Sequence, residues 1–110
     1  MVKAASAPQL AKAFIDHLTE TAGQVDRLEK IFRELDVSPK GKTCKAMKGL
    51  LKEGKEVRTE DAAPTVMDVA LIAAAQRVEH YEMAGYGCVR TFARSLGYQQ
   101  AADLLQETLD

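Results

Sequence analysis

Apolar side chains, with one threonine among them, recur at alternating steps of four and three residues in the first third of the chain. The positions are Phe14, Leu18, Thr21, Val25, Leu28, Phe32 and Leu35. Such a heptad stripe is typical of a helix that packs in a bundle. Ser6 can cap the start and Pro8 fits in the first turn, whereas the segment Ser38–Gly41 contains the stop signals. The pattern therefore predicts a helix over residues 8–36.

A second stripe with the same steps runs through the second half of the chain. Its positions are Leu71, Ala75, Val78, Glu82, Gly85, Val89, Phe92 and Leu96. Pro64 stands where a helix can begin, and Gly97 follows the last position as a C-cap, so the stripe predicts a helix over residues 64–96. Residues 98–110 are predicted as the start of a last helix, whose inner face is formed by Ala101, Ala102, Leu104, Leu105 and Leu109.

A lysine-rich segment, residues 40–58, connects the two stripes. Its apolar positions have helical spacing, at Cys44, Met47, Leu50, Leu51 and Val57. Because Gly49 and Gly54 weaken a helix, we expect a short, partly buried one, in a segment that crosses between helices that are not antiparallel neighbours. The six lysines and Arg58 form either a phosphate-binding patch or the solvated face of a surface helix, which the interspersed glutamates favour.

The composition indicates a single small domain over residues 1–110. Apolar residues make up 46% and charged residues 28% of the chain, which is ordinary for a globular protein, and few prolines interrupt the pattern. The stripes and this composition together predict an all-α bundle of three long helices plus a short crossover helix.

The charge and the apolar runs exclude some function classes. A net charge of -1 disfavours a protein that coats nucleic acid, because there is no basic excess to displace counterions. No apolar run approaches the roughly 20 residues that span a membrane, and the first residues lack a secretory signal. We therefore expect a cytoplasmic protein without a membrane partner, in which Cys44 and Cys88 are reduced thiols.

Glu82 interrupts the second stripe at its centre. A bare carboxylate in an apolar seam costs several kcal/mol, so it must be neutralised, paired or bound to a cation. Glu79, one turn earlier, lies about 60° round the helix, and Tyr86, one turn later, can donate a hydrogen bond to either carboxylate. His80 points about 160° away from Glu82 and is a poor candidate for the same site.

The first helix offers matching chemistry. Glu20 lies at the edge of its stripe, with His17 one turn before and Gln24 one turn after. Bundle proteins assemble di-metal sites from inward carboxylates on facing helices with histidines added, and such ligands suit iron or manganese. The predicted metal ligands are Glu20, Glu82, Glu79, Gln24 and His17, with Tyr86 as an outer hydrogen-bonding partner. The alternatives are that Glu82 pairs with a buried Arg27 or lies at a dimer seam, and that His17 is an ordinary half-buried histidine.

The stretches around these candidate ligands resemble a known family. His17–Thr21 reads His-Leu-Thr-Glu-Thr, and the stretches Ala70–Gln76, Val78–Glu82 and Gly85–Gly87 give a closer match, with a Glu-His-Tyr-Glu block inside them. These motifs are similar to those of the YciE/YciF family, over nearly the whole chain. The resemblance implies a ferritin-like four-helix bundle, related in architecture to rubrerythrins and manganese catalases, in a bacterial stress-response protein.

The resemblance also implies a function and shows departures from the family. It implies two iron or manganese ions bridged by carboxylates, and so a di-metal oxidoreductase that handles oxygen or peroxide, with catalytic residues not identified. Thr19 replaces the first of two family glutamates, and family members have a helix before Pro8 and continue past Asp110. We therefore expect a chain without the first helix and the C-terminal end, whose open apolar groove favours a homodimer. The alternative is a metal-free helical module for oligomerisation or partner binding.

Overall fold

The computed structural model describes residues 1–110 and contains four α-helices and no β-strand. After a single 3-10 turn at Val2–Ala4, the helices are α1 (Pro8–Glu34), α2 (Lys45–Arg58), α3 (Pro64–Ser95) and α4 (Gln99–Leu109). Each corresponds to one of the predicted segments, so the expected all-α class is confirmed. None of the helices combines the length and the apolar character that crossing a bilayer requires.

The chain forms two compact units, and α1 and α3 each contribute residues to both. The first unit comprises Met1–Glu20 and Thr43–His80, and the second comprises Thr21–Lys42 and Tyr81–Asp110. The first unit therefore contains the start of α1, all of α2 and the first half of α3. The second contains the remainder of α1 and α3 together with α4.

The core of the first unit is centred on Leu71 of α3, which is completely buried, with Met67 and Ala74 beside it. Gly54 of α2 is also buried, and a Cβ atom there would lie 3.2 Å from the Met1 side chain and 3.9 Å from Ala74 Cβ. The distance to Ala74 of α3 is an ordinary van der Waals contact, so the glycine, which costs α2 some helix propensity, makes room for the Met1 side chain rather than for α3.

The start of α1 is capped by a residue distant in sequence. The Asp68 carboxylate of α3 accepts hydrogen bonds from the backbone N–H groups of Ser6 and Ala7, at 2.7 and 2.9 Å. The sequence predicts Ser6 as the cap, but Ala7 is the residue that precedes Pro8, and Asp68 supplies the acceptor. A carboxylate at a helix N-terminus also interacts favourably with the helix dipole.

The helix α1 ends at a residue with a left-handed backbone conformation, which the sequence pattern does not predict. Asp36 has φ 54°, its N–H donates to the Arg33 carbonyl, and the Val37 N–H donates to the Phe32 carbonyl. These two bonds are the Schellman motif. The predicted stop signals in Ser38–Gly41 therefore lie beyond the true end of the helix, because the backbone bonds at Asp36 already satisfy its last carbonyls.

The helix α3 ends in the same motif, here with the glycine that such a conformation favours. Gly97 has φ 82°, and its N–H donates to the Arg94 carbonyl while the Tyr98 N–H donates to the Ala93 carbonyl at 2.8 Å. The predicted C-cap at Gly97 is confirmed. Because glycine has no Cβ, it adopts a positive φ without steric cost.

The core of the second unit joins α1, α3 and α4. Its buried residues are Ile31, Ala93, Ala101, Ala102 and Leu105, and Leu28, Tyr86 and Leu104 pack against them. Three of the five positions predicted as the inner face of the last helix are thus buried. The polar edge of this core carries hydrogen bonds from Arg27 to Thr108 and from Arg90 to Gln106.

The buried face of α3 departs from the predicted stripe towards the C-terminal end. Leu71 is buried as predicted, but Phe92 and Leu96 are 64% and 71% exposed, whereas Ala93 is buried. The reason is geometric. A straight α-helix has 3.6 residues per turn, so a strict heptad stripe drifts by about 20° per heptad relative to it. Over 25 residues the apolar stripe turns away from the face that packs.

Candidate functional site

The inward face of α1 carries polar side chains at two positions where their apolar neighbours point outwards. His17 and Gln24 are half-buried, whereas Leu18 and Val25 are exposed. The buried positions of the helix therefore lie one residue before those two members of the predicted stripe. Since apolar residues normally occupy the inward face, an inward histidine and glutamine are candidates for a chemical role.

His17 connects α1 to α3 within the first unit. Its Nε2 lies 2.9 Å from Glu79 Oε1, a distance at which a protonated nitrogen donates to a carboxylate. Its Nδ1 lies 3.8 Å from Glu20 Oε2 on its own helix. The His17 and Glu79 side chains are 40% and 42% exposed, so water and ions reach the pair.

These three side chains do not converge on one point. The two nitrogens of an imidazole ring face different directions, so Glu79 and Glu20 flank the ring on separate sides. Across residues 1–110, no set of three or more His, Cys, Asp or Glu side chains is placed to hold one metal ion. The donor types suit iron or manganese, but their number in this arrangement falls short of the four carboxylates and two histidines of a di-metal site.

His80 occupies the position that its place on the helix predicts. It is exposed, and its Nδ1 lies 2.7 Å from the Gln76 carbonyl one turn earlier. The ring therefore binds its own helix rather than a neighbouring carboxylate.

Glu82 lies in the second unit, half-buried on α3. It lines a cleft of about 270 Å³ whose other walls are almost entirely apolar or aromatic: Leu28, Tyr81, Gly85, Tyr86, Val89 and Leu105. Burial, followed by the negative charge of Glu82, raises the pKa of Tyr86 above its ordinary value, and the Arg27 charge opposes this effect. Glu82 and Tyr86 are thus close enough to interact, as their spacing on the helix predicts.

Arg27, the alternative partner of Glu82, makes its contacts with α4. Its Nη1 donates to Thr108 Oγ1 at 2.9 Å, and its Nε lies 3.4 Å from Glu107 Oε2. This hydrogen bond and this ion pair connect α1 to α4 within the second unit. The guanidinium also lies close enough to affect the pKa of Tyr86, so a cation is present in the neighbourhood of the Glu82 cleft.

A cleft in the first unit is a feature that the sequence patterns do not reveal. It has a volume of about 360 Å³, and Lys55 and Arg58 of α2 line it together with His17. In the sequence, these two cations are part of a general lysine-rich run. Their spacing of three residues does not separate them from the other lysines, because Lys45 and Lys48 have the same spacing.

The chain is similar to known proteins over its full length. A family model described as "Domain of unknown function (DUF892)" matches residues 1–110. The protein YciF of Escherichia coli (strain K12) is 46% identical over 111 residues, which cover 100% of this chain and 67% of YciF. The solved structure of YcfI from Rhodopseudomonas palustris superposes with a TM-score of 0.93 at 39% identity, and the match covers 98% of this chain and 69% of YcfI. These matches confirm the helical-bundle fold.

Proposed function

Because the chain belongs to the YciE/YciF family, whose domain is DUF892, we propose that it is a ferritin-like stress-response protein of the bacterial cytoplasm that binds iron or manganese. The stress-response and cytoplasmic parts of the proposal rest on the family resemblance. The metal-binding part rests on one observation, the contact of 2.9 Å between His17 and Glu79. It places an imidazole and a carboxylate from two different helices side by side.

The chemistry of this pair supports a metal site in the first unit. Imidazole nitrogen and carboxylate oxygen are the donors that bundle proteins present to iron and manganese. A metal ion competes with the proton for such donors, and the half-exposed position leaves the pair accessible. Glu20, whose side chain is 70% exposed, is free of burial constraints that would fix its rotamer. It therefore serves as a third ligand once its side chain turns.

The residues of the second unit have their own roles in the proposal. Glu82 and Gln24 remain proposed ligands, and the Tyr86 phenol orients the Glu82 carboxylate. The raised pKa of Tyr86 keeps its proton in place, so that it donates a hydrogen bond. When bound, a pair of iron or manganese ions supplies redox chemistry towards oxygen or peroxide.

The proposal also includes the association of two copies of the chain as a homodimer. Large apolar side chains are exposed in both units, with Val66 58% exposed in the first and Phe92 64% in the second. Exposed apolar surface of this kind favours association, and a second copy brings further carboxylates. Sedimentation equilibrium at micromolar concentration tests this part, since a stable monomer contradicts it.

Metal binding is tested by thermal unfolding of the purified protein with and without Mn²⁺. We expect the ion to raise the unfolding temperature of the wild type, because it binds only the folded state. The Glu79→Gln and His17→Gln variants should lose this shift. The matched control is Glu29→Gln, which changes an exposed glutamate of the same helix α1 and should keep it. An equal shift in all four proteins contradicts the proposed site.

A second candidate function is a metal-free helical module that oligomerises or binds a partner. The observation that favours it is the exposure of large apolar side chains in both units, among them Val69 and Phe92. A purified protein that is dimeric in chelator, and that contains no iron or manganese when isolated, would support this candidate over the first.

A further inference from the structure

The cleft of the first unit has the form of a small-molecule site. Its volume of about 360 Å³ lies within the roughly 300–1,000 Å³ typical of ligand pockets. Side chains of α1, α2 and α3 form its apolar walls: Phe14, Leu18, Leu50, Leu51 and Val78. Leu18 and Leu51 are more than half exposed although they are large and apolar. A ligand that covers them would remove apolar surface from water.

The polar side chains of the cleft are cationic or neutral. Lys55 and Arg58 line it from α2, and His17 lines it from α1, whereas no carboxylate side chain takes part in its walls. Met1 lines the same cleft, and Arg58 lies close enough to its α-amino group that the Arg58 charge, after burial, lowers the pKa of that group.

We propose that this cleft binds an amphipathic anion, namely a medium-chain fatty acid, whose hydrocarbon chain covers the apolar walls and whose carboxylate lies between Lys55 and Arg58. Two cations on one face of a helix suit a carboxylate, and charge-assisted hydrogen bonds from them fix its position. The hydrocarbon chain provides affinity through burial of Leu18 and Leu51. The inference does not depend on a metal ion, because none of these contacts involves one.

The charge pattern excludes the other simple occupants. A neutral alcohol of the same length would bury the same apolar area but would leave the two cations without an anion. An organic cation would place like charges together, which is unfavourable. Because Lys55 and Arg58 are exposed, the electrostatic part of the binding should weaken as salt is added.

The binding test is a calorimetric titration of the full chain in chelator with decanoate and decyltrimethylammonium below their micelle concentrations and with 1-decanol below its solubility limit. We expect decanoate to bind most tightly, 1-decanol more weakly and the cation least. NMR shifts should move at the Val78 and Leu50 methyl groups and stay unchanged at Ile31 and Leu105, which belong to the core of the second unit. Equal binding of the three ligands, or shifts spread over both units, overturns the proposal.

Variants of α2 separate the specific site from general attraction to lysines. Lys55→Gln and Arg58→Gln should each weaken decanoate binding about three- to fivefold, the size expected for exposed ion pairs, and should leave 1-decanol binding unchanged. Lys52→Gln is the control, because Lys52 is exposed on the same helix but does not line the cleft. Leu51→Glu should abolish binding by placing a carboxylate in the wall. If Lys52→Gln weakens binding as much as Lys55→Gln does, the proposal is wrong.

Discussion

His17 Nε2 of α1 lies 2.9 Å from Glu79 Oε1 of α3, and both side chains are only about 60% removed from solvent. At such exposure an ion pair or hydrogen bond contributes little net free energy, because water competes for both partners. The pair is therefore a weak explanation for stability. The proposed metal site gives a different reason for an imidazole on the inward face of α1.

A double-mutant cycle on this pair measures its structural contribution. We expect His17→Gln and Glu79→Gln to couple by less than about 1 kcal/mol in the free energy of unfolding in metal-free buffer. Urea denaturation of the two single variants, the double variant and the wild type gives the coupling. A value above about 2 kcal/mol would mean that the pair is a structural clamp.

Stability at alkaline pH should depend on Tyr86. Its pKa is raised above 10.0 in the folded protein, first by burial and then by Glu82. The unfolded chain therefore releases the phenolic proton at lower pH than the folded chain does. The contribution of Tyr86 to the free energy of unfolding is thus fully present below pH 10.0 and is lost as the pH rises through the pKa of the folded protein. Urea denaturation at neutral and alkaline pH should show a smaller alkaline loss for Tyr86→Phe than for the wild type. Equal losses in both proteins would contradict the raised pKa.

The Leu71→Ala substitution should destabilise the protein strongly. Leu71 is completely buried, and truncation of such a residue leaves a cavity that costs about 2–5 kcal/mol in the free energy of unfolding. Val69→Ala is the matched control two residues away on α3, where Val69 is 66% exposed, and it should change stability by less than about 0.5 kcal/mol. Similar losses in the two variants would show that α3 packs through another face.

The two helix C-termini give a pair of predictions with opposite sign. Gly97→Ala forces an alanine into a φ of 82° and should cost about 1 kcal/mol. Asp36→Gly relieves the same strain at a φ of 54° and should stabilise the protein by up to about 1 kcal/mol. Chemical denaturation of both variants tests the assignment. A destabilised Asp36→Gly variant would mean that the aspartate side chain contributes more than the strain costs.

The distant cap of α1 should be measurable through Asp68. Replacement by alanine removes the acceptor of two backbone N–H groups at 2.7 and 2.9 Å and should cost about 1–2 kcal/mol. Asp26→Ala, at an exposed aspartate within α1, is the control and should have little effect. Amide hydrogen exchange should rise at Ser6 and Ala7 in Asp68→Ala. Unchanged protection there would exclude the capping role.

The helical segments follow from the sequence because a heptad stripe is a local property that one helix carries by itself. The apolar stripes of the first and third helices predict α1 and α3, and Gly97 predicts the end of α3. The buried face is different, because it depends on which side of a helix meets its neighbours. Phe92 and Leu96 belong to the predicted stripe and are nevertheless exposed, since the helix repeats every 3.6 residues and the stripe every 3.5.

The sequence selects His17 and Glu79 as candidate ligands on facing helices, but it does not show which side chains of the two helices are in contact. Their contact with each other depends on the rotation and height of two helices, which no local pattern encodes. The role of Asp68 is hidden for the same reason, as more than 60 residues separate it from Ser6 and Ala7.

The Asp68 cap also has a consequence for the order in which the protein folds. Because the acceptor for the Ser6 and Ala7 amides comes from α3, the first turn of α1 gains its full stability only after a loop of about 60 residues has closed, which is entropically costly. An isolated peptide of α1 should fray from its N-terminal end. In kinetic experiments, substitutions in that turn should accelerate unfolding while leaving the folding rate nearly unchanged, with φ-values close to zero.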